Sequence, residues 1–193
     1  MARIFVGVEL DAGVKAAAAA AADALRAELA STDIRVLARW VPQDNLHITL
    51  FFIGDVPGNR VNEVRAALAP PFARAAFDVH LSGLGAFPPS GVPRVFWIGV
   101  RDGSEALGAL HAEVSARLAA VGCEPEGRPY SAHLTIARVK DLQSRGHASR
   151  VRRILAGRDA DAGPSRVSAV TLFESRVSPK GSTYEPLLRL PLF

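Results

Sequence analysis

Apolar residues recur along this chain at two different spacings. Ile4, Phe5, Val6, Val8 and Leu10 crowd into Arg3 to Leu10, the density of a buried strand. Asp11 then offers an N-cap, and an Ala-rich stretch with Leu25 and Leu29 on its inner stripe predicts a helix to about Ala30. Val36 to Trp40 reads as a short strand and Pro42 to Asn45 as a turn. Leu46 to Ile53 is a strongly apolar strand. Val61, Val64 and Leu68 sit at helical spacing in Arg60 to Leu68, before Pro70 and Pro71 break the pattern. Phe77 to Leu84 alternates apolar and polar as a half-buried strand does. Residues 88–93 are a Pro-rich loop, and Arg94 to Val100 is again a strand. Leu107, Leu110, Val114 and Leu118 give Ser104 to Val121 one apolar helical face, closed by Gly122 at the C′ position. Ala132 to Val139 is a second apolar strand and Ala148 to Leu155 an Arg-rich helix. Val167 to Glu174 and Tyr184 to Leu192 are terminal strands around a turn at 178–182.

Strands and helices do not alternate regularly, so the pattern predicts an α+β fold with mainly antiparallel pairing. It also reads twice. A strand, a long helix, an apolar strand and a shorter helix occur in each half, as a duplicated unit would show. The expectation is a single domain over residues 1–193 with two pseudo-symmetric lobes, outer helices and a central cleft. Its motif strands lie around 46–53 and 132–139.

Those two strands carry the chemistry. Each contains a His-X-Thr-X tetrapeptide, His47-Ile48-Thr49-Leu50 and His133-Leu134-Thr135-Ile136, about half a chain apart. Side chains on a strand alternate between faces, so His and Thr share one face while Ile48, Leu50, Leu134 and Ile136 point to the core. Around a pseudo-twofold axis, two imidazoles and two hydroxyls would meet one ligand. That set suits phosphate ester cleavage. One imidazole can act as base and the other as acid near neutral pH, and the threonine hydroxyls can hold phosphoryl oxygens. Taken singly, either tetrapeptide is as well explained by a packed histidine in a strand. The repetition is what points to a site. His80, His111 and His147 lack that repeated context and read as non-catalytic.

Bulk properties narrow the partner. The 193 residues carry a net charge of +4, mostly from arginine, which suits an anionic ligand. One cysteine, Cys123, excludes an internal disulfide and a thiolate metal cluster. The first residues read as a strand rather than a signal peptide, and the Ala16 to Ala22 run is too short to span a bilayer, so a cytoplasmic location is expected.

With these residues in view, the chain resembles the 2H phosphoesterases, and within them the RNA 2′,3′-cyclic phosphodiesterases, also called 2′-5′ RNA ligases. The likeness covers nearly the whole chain. Arg3 to Val8 is similar to the family's first strand and Trp40 to Leu50 to its first motif region. His133 to Arg138 is similar to its second motif with a trailing arginine, and Leu172 to Ser175 with Gly181 to Tyr184 to its C-terminal signature. Ala132 departs from the pattern, where relatives often have proline. The resemblance implies a bilobal α+β fold and hydrolysis of RNA 2′,3′-cyclic phosphate ends to 2′-phosphomonoesters. It implies no metal and no cofactor, with 2′-5′ ligation as the reverse reaction. It assigns His47 as proton donor and His133 as proton acceptor, roles the residues alone leave open because both are imidazoles. It makes Arg138 a phosphate ligand beside Thr49 and Thr135, although strict alternation turns Arg138 to the opposite face unless a bulge intervenes. Tyr184 and Phe5 are candidates to contact a base or the RNA, and Ser178, Lys180 and the basic run from Arg138 to Arg158 are weaker ones. The expected partner is RNA with a cyclic phosphate end, met by a monomer with no membrane contact. A small cyclic nucleotide such as ADP-ribose 1″,2″-cyclic phosphate, or RNA binding without turnover, also fits the same residues.

Overall fold

A computed structural model describes residues 1–125, 127–142, 146–178 and 181–193 of the chain. Its strands are β1 (Ala2–Glu9), β2 (Val36–Trp40), β3 (His47–Val56), β4 (Phe77–Phe87), β5 (Val95–Asp102), β6 (His133–Leu142), β7 (Asp161–Val167), β8 (Ala169–Ser178) and β9 (Gly181–Pro191). Its helices are α1 (Ala12–Ala30), α2 (Gly58–Leu68), α3 (Ser104–Ala119) and α4 (His147–Ala156), with one 3-10 turn at Gln43–Asn45. All strands join one curled antiparallel sheet in the order β7-β4-β5-β6-β3-β1-β8-β9, with β2 added beside β6.

The sheet has two arms that meet at one residue pair. β3 and β6 touch in register only at Ile48 and Leu134, the residues between His and Thr in each tetrapeptide. The arms are not the two sequence halves. β4, from the first half, pairs with β5, while β8, from the second, pairs with β1. The long helices also cross over: α1 follows β1 but packs on β6 and β7, and α3 follows β5 but packs on β3. The repeat read in the sequence is therefore intertwined, which ties the arms together more firmly than one strand pair could.

One face of the sheet lies under the helices. Ile4, Val6, Val8, Ile48 and Leu134 are fully buried there, with Leu107, Leu110, Val114 and Leu118 of α3 packed above β3. The opposite face is free of helices and carries His47, Thr49, His133 and Thr135.

Several strands run longer than expected, β4 to Phe87, β6 to Leu142 and β8 to Ser178, and three further departures bear on the fold. β7, with the sequence Asp-Ala-Gly-Pro-Ser-Arg-Val, lies outside the predicted strands, and its Gly163 and Pro164 disfavour a strand interior. It survives as an edge strand, where a residue without an N–H leaves no ladder bond unmade. Asp11 holds the N-cap position of α1, its carbonyl accepting from the Lys15 N–H, but its side chain makes no cap bond: the carboxylate instead accepts from the Arg166 backbone N–H at 2.8 Å, and its own N–H donates to Ser165 Oγ at 2.8 Å. It thereby fastens α1 to β7. β3 runs on to Val56, three residues past its expected end, with Gly54 at φ 91° absorbing an irregularity in the β1 pairing. Gly122, at φ 73°, closes the turn after α3 as expected.

Leu110 is fully buried where α3 meets β3. Leu110→Ala is expected to cost about 2–5 kcal/mol, read as a drop in the urea unfolding midpoint with an unchanged slope.

Candidate active site

The two tetrapeptides bring four side chains to the open face around the Ile48–Leu134 pair. Each strand then departs from regular pairing at the same point. Opposite β1, the register passes from Thr49 to Phe51 and skips Leu50; opposite β5, it passes from Thr135 to Ala137 and skips Ile136. Each skipped residue is the last of its tetrapeptide. A one-residue bulge reverses face parity beyond it. Phe51 and Ala137 are accordingly buried, and Phe52 and Arg138 emerge on the open face. This is the bulge on which a ligand role for Arg138 depends. Its positive charge bears on both imidazoles.

The histidines are held in matching ways. His47 Nδ1–H donates to the Asn45 carbonyl at 2.7 Å, and His133 Nδ1–H donates to the Ser131 carbonyl at 2.7 Å. In each case the acceptor lies two residues upstream. With Nδ1 spent on a carbonyl, the neutral ring carries its lone pair on Nε2. His47 Nε2 lies 3.0 Å from Thr49 Oγ1. The Asn45 side chain donates in turn to the Ser182 carbonyl, which explains why the C-terminal segment ending in Tyr184 accompanies the motifs.

Aromatic rings floor both half-sites. Phe5 lies 4.7 Å from the His47 ring, and Tyr184 meets it edge-on at 5.1 Å. Phe5 is only 4% exposed and packs beneath His47, against Phe173. Tyr184 is half-buried and lines a small cavity with His47, Lys15 and Asn45. On the other arm, Phe87 meets His133 edge-on at 4.9 Å and also packs on Trp97. Two glycines make these contacts fit. A Cβ at Gly7 would stand 2.8 Å from the Ile48 carbonyl oxygen and 3.4 Å from His47 Cδ2; one at Gly85 would overlap the Trp97 ring.

Burial holds both imidazoles below the ordinary histidine range. Desolvation is the main cause at His47, partly offset by the Asn45 bond, and the charges of Arg138, Lys15 and His133 add to it, taking the pKa to about 4. His133 is lowered for the same first reason, with Arg138 contributing.

Tyr130, Asn45, Ser131, Phe87 and Lys15 were not singled out from the sequence. Tyr130 OH donates to the Thr49 carbonyl at 3.2 Å, and its ring stacks on His111 at 4.2 Å. The loop before the second motif thus clamps the first motif strand. Burial raises the Tyr130 phenol above its usual range. Their common signal, proximity to a tetrapeptide in sequence, was available for Asn45, Tyr130 and Ser131 but not for the other two. His80 pairs with Asp161 at 2.7 Å, remote from the motifs along the β4–β7 edge. Much of the basic run is structurally occupied: Arg150 pairs with Asp33, Arg158 with Glu28, and Arg152 donates to the Pro88 and Gly91 carbonyls. Ser178 Oγ donates to the Gly181 carbonyl at 3.0 Å. Lys180 and Arg145 lie outside the described residues. Among the described residues no group of three or more His, Cys, Asp or Glu side chains is placed to hold a metal ion, and no helix is long and apolar enough to cross a membrane.

This fold and paired site define a class, and comparison with known proteins agrees with it. The profile of the 2′-5′ RNA ligase superfamily matches residues 14–178, and the chain belongs to that superfamily. It is 35% identical to an RNA 2′,3′-cyclic phosphodiesterase of Aeropyrum pernix, over 84% of this chain and 90% of that protein. It is 31% identical to one from Methanothermobacter thermautotrophicus, over 94% of each. Among solved structures, the Thermus thermophilus protein TT0787 superposes with a TM-score of 0.77 at 26% identity, over 98% of this chain and 97% of that one. Escherichia coli LigT in complex with 3′-AMP shares the fold, with a TM-score of 0.73 at 23% identity over 99% and 98%.

The unfolded chain takes up a proton on His47 near pH 6.5, whereas the folded chain resists it until about 4. The stability contributed by keeping this ring neutral is complete above pH 6.5 and is lost as pH falls toward 4. His47→Gln is expected to flatten that limb, measured as urea midpoints across pH 4 to 7. An unchanged slope would contradict the assigned shift.

Proposed function

We propose that the chain hydrolyses RNA 2′,3′-cyclic phosphate ends to 2′-phosphomonoesters, using His47 as proton donor and His133 as proton acceptor and no metal ion. The observation that carries this reading is the matched anchoring of the two imidazoles, each with Nδ1 on a carbonyl two residues upstream and each tetrapeptide presenting its Thr beside its His. The names of the curated relatives support the substrate. The 193 residues work as one unit, with a half-site on each arm. The lone buried thiol of Cys123 suits a reducing cytoplasm.

In the forward reaction a water attacks phosphorus in line with the bond to O3′. His133 Nε2 takes the water proton as the new P–O bond forms. His47, protonated on Nε2, gives its proton to O3′ as the P–O3′ bond breaks. Thr49, Thr135 and Arg138 hold the non-bridging oxygens while charge develops on them. The two rings finish with exchanged protonation states and reset by proton exchange with solvent. With a 5′-hydroxyl in place of the attacking water, the same steps form the 5′-O–P bond as the P–O3′ bond breaks and so give a 2′-5′ linkage; run backwards, they cleave it.

His47→Ala and His133→Ala are each expected to lower kcat on a 2′,3′-cyclic nucleotide by about 10²- to 10⁴-fold, with EDTA leaving the unmutated enzyme unaffected. Full activity in either variant would remove the two-histidine mechanism. The rate should also follow protonation. Both imidazoles are lowered, so above pH 6.5 the singly protonated working pair becomes scarcer as pH rises. A fall in kcat/KM of roughly tenfold per unit above neutrality is expected. A flat profile through pH 9 would contradict it.

A further inference from the structure

We infer that Arg39, beside Arg138, forms a second phosphate subsite that holds the internucleotide phosphate next to the reacting end and makes the enzyme prefer oligonucleotides to cyclic mononucleotides. This inference rests on the cyclic phosphodiesterase reading above.

Past the bulge at Ile136, Arg138 stands on the open face between two neighbours, Val95 on β5 and Arg39 on β2. Directly opposed residues in an antiparallel pair share a face. Alternation within β2 agrees: Leu37 and Arg39 are exposed, whereas Val36, Ala38 and Trp40 are half-buried on the helix side. Two guanidinium groups are therefore opposed across adjacent strands, an arrangement that is destabilising without an anion. Among the described residues neither makes an ion pair or a side-chain hydrogen bond. Elsewhere Arg60, Arg101, Arg117, Arg150, Arg166 and Arg189 each pair with a carboxylate, whereas here two unpaired arginines face each other across one strand pair. The one acid on this stretch, Asp141, stands opposite Leu37, beyond a second bulge.

The two arginines are placed for different phosphates. Arg138 bears on both imidazoles, so it reaches the reacting centre; Arg39 stands across from it on the next strand. Arg39 lies one strand further out, about 4.8 Å in the pairing direction, at the exposed end of the same row. A chain whose terminal phosphate sits between His47 and His133 would lay its next phosphate there. The pseudo-symmetric position on the other arm is taken by Phe52, 39% exposed, with the Arg3 guanidinium 5.1 Å above its ring and Asp55 as the cross-strand partner of Arg3. The unneutralised guanidinium pair therefore exists on one arm only, which gives the bound chain a direction.

The test compares kcat/KM on a 2′,3′-cyclic mononucleotide, on a dinucleotide with the same cyclic end, and on that dinucleotide with a neutral methylphosphonate linkage. The unmutated enzyme is expected to favour the charged dinucleotide and to lose the preference with the neutral linkage. Arg39→Gln should shrink the dinucleotide-to-mononucleotide ratio by about tenfold, and Arg39→Lys should restore part of it. Binding of a short oligoribonucleotide by fluorescence anisotropy gives a readout that needs no turnover: Arg39→Gln should reduce the salt-dependence slope by about 0.7. Turnover of all three substrates at one ratio in enzyme and variant, with an unchanged salt slope, would overturn the subsite and leave the phosphodiesterase reading standing. A reduced salt slope without turnover of any substrate would keep the subsite and overturn that reading.

Discussion

One pair of residues holds the site together. Among the described residues Ile48 and Leu134 are the one register pair between β3 and β6, and they are the apolar members that separate His from Thr in each tetrapeptide. Their side chains are fully buried under the helices. Strand parity therefore sends His47, Thr49, His133 and Thr135 to the opposite face at the place where the arms meet. Moving either strand by one residue would bury its histidine and threonine and expose its two core residues together. Register at the seam is thus fixed by core burial, and the chemistry inherits that precision at no separate cost.

Much of this was legible in the sequence because it depends on period alone. The strand parity of the tetrapeptides, the apolar faces of α1 and α3 and the duplicated order of elements follow from spacing. What escaped depends on exceptions to spacing or on distant partners. β7 was hidden by Gly163 and Pro164, residues that only an edge position tolerates. Asp11 has the composition of an N-cap, but β7 lies within reach and offers its carboxylate a backbone N–H. The bulges at Leu50 and Ile136 leave no mark in composition, since both are ordinary core residues, and yet they decide which face Arg138 occupies. The contacts of Phe87 with His133 and of Lys15 with the His47 pocket are long-range and carry no local pattern.

The duplication also explains where the two half-sites differ. Thr49 faces Gly7 across the β1–β3 ladder, whereas Thr135 faces Trp97 across the β5–β6 ladder. Gly7 leaves room for the His47 ring; Trp97 fills the matching space, resting on Gly85. Beyond the bulges, Phe52 and Arg138 hold equivalent positions with opposite chemistry. A strictly symmetric site would bind a substrate equally well in two orientations. These substitutions break that degeneracy, with an aromatic side capped by Arg3 and a doubly cationic side formed with Arg39.

The electrostatics of the free protein and of the substrate-bound site are opposed, and that opposition is useful. Burial and the charges of Arg138 and Lys15 keep His47 neutral in the free protein, so no proton donor waits there. The same cations attract a phosphodiester anion. Once it arrives, its negative charge offsets theirs and favours the protonated imidazole. On the proposed assignment of His47 as donor, the acid then forms where and when the ester is bound. An acid with a naturally low pKa also gives up its proton readily to a departing alkoxide. The cost is a small fraction of correctly protonated free enzyme above neutrality, which an enzyme whose ligand brings its own negative charge can bear.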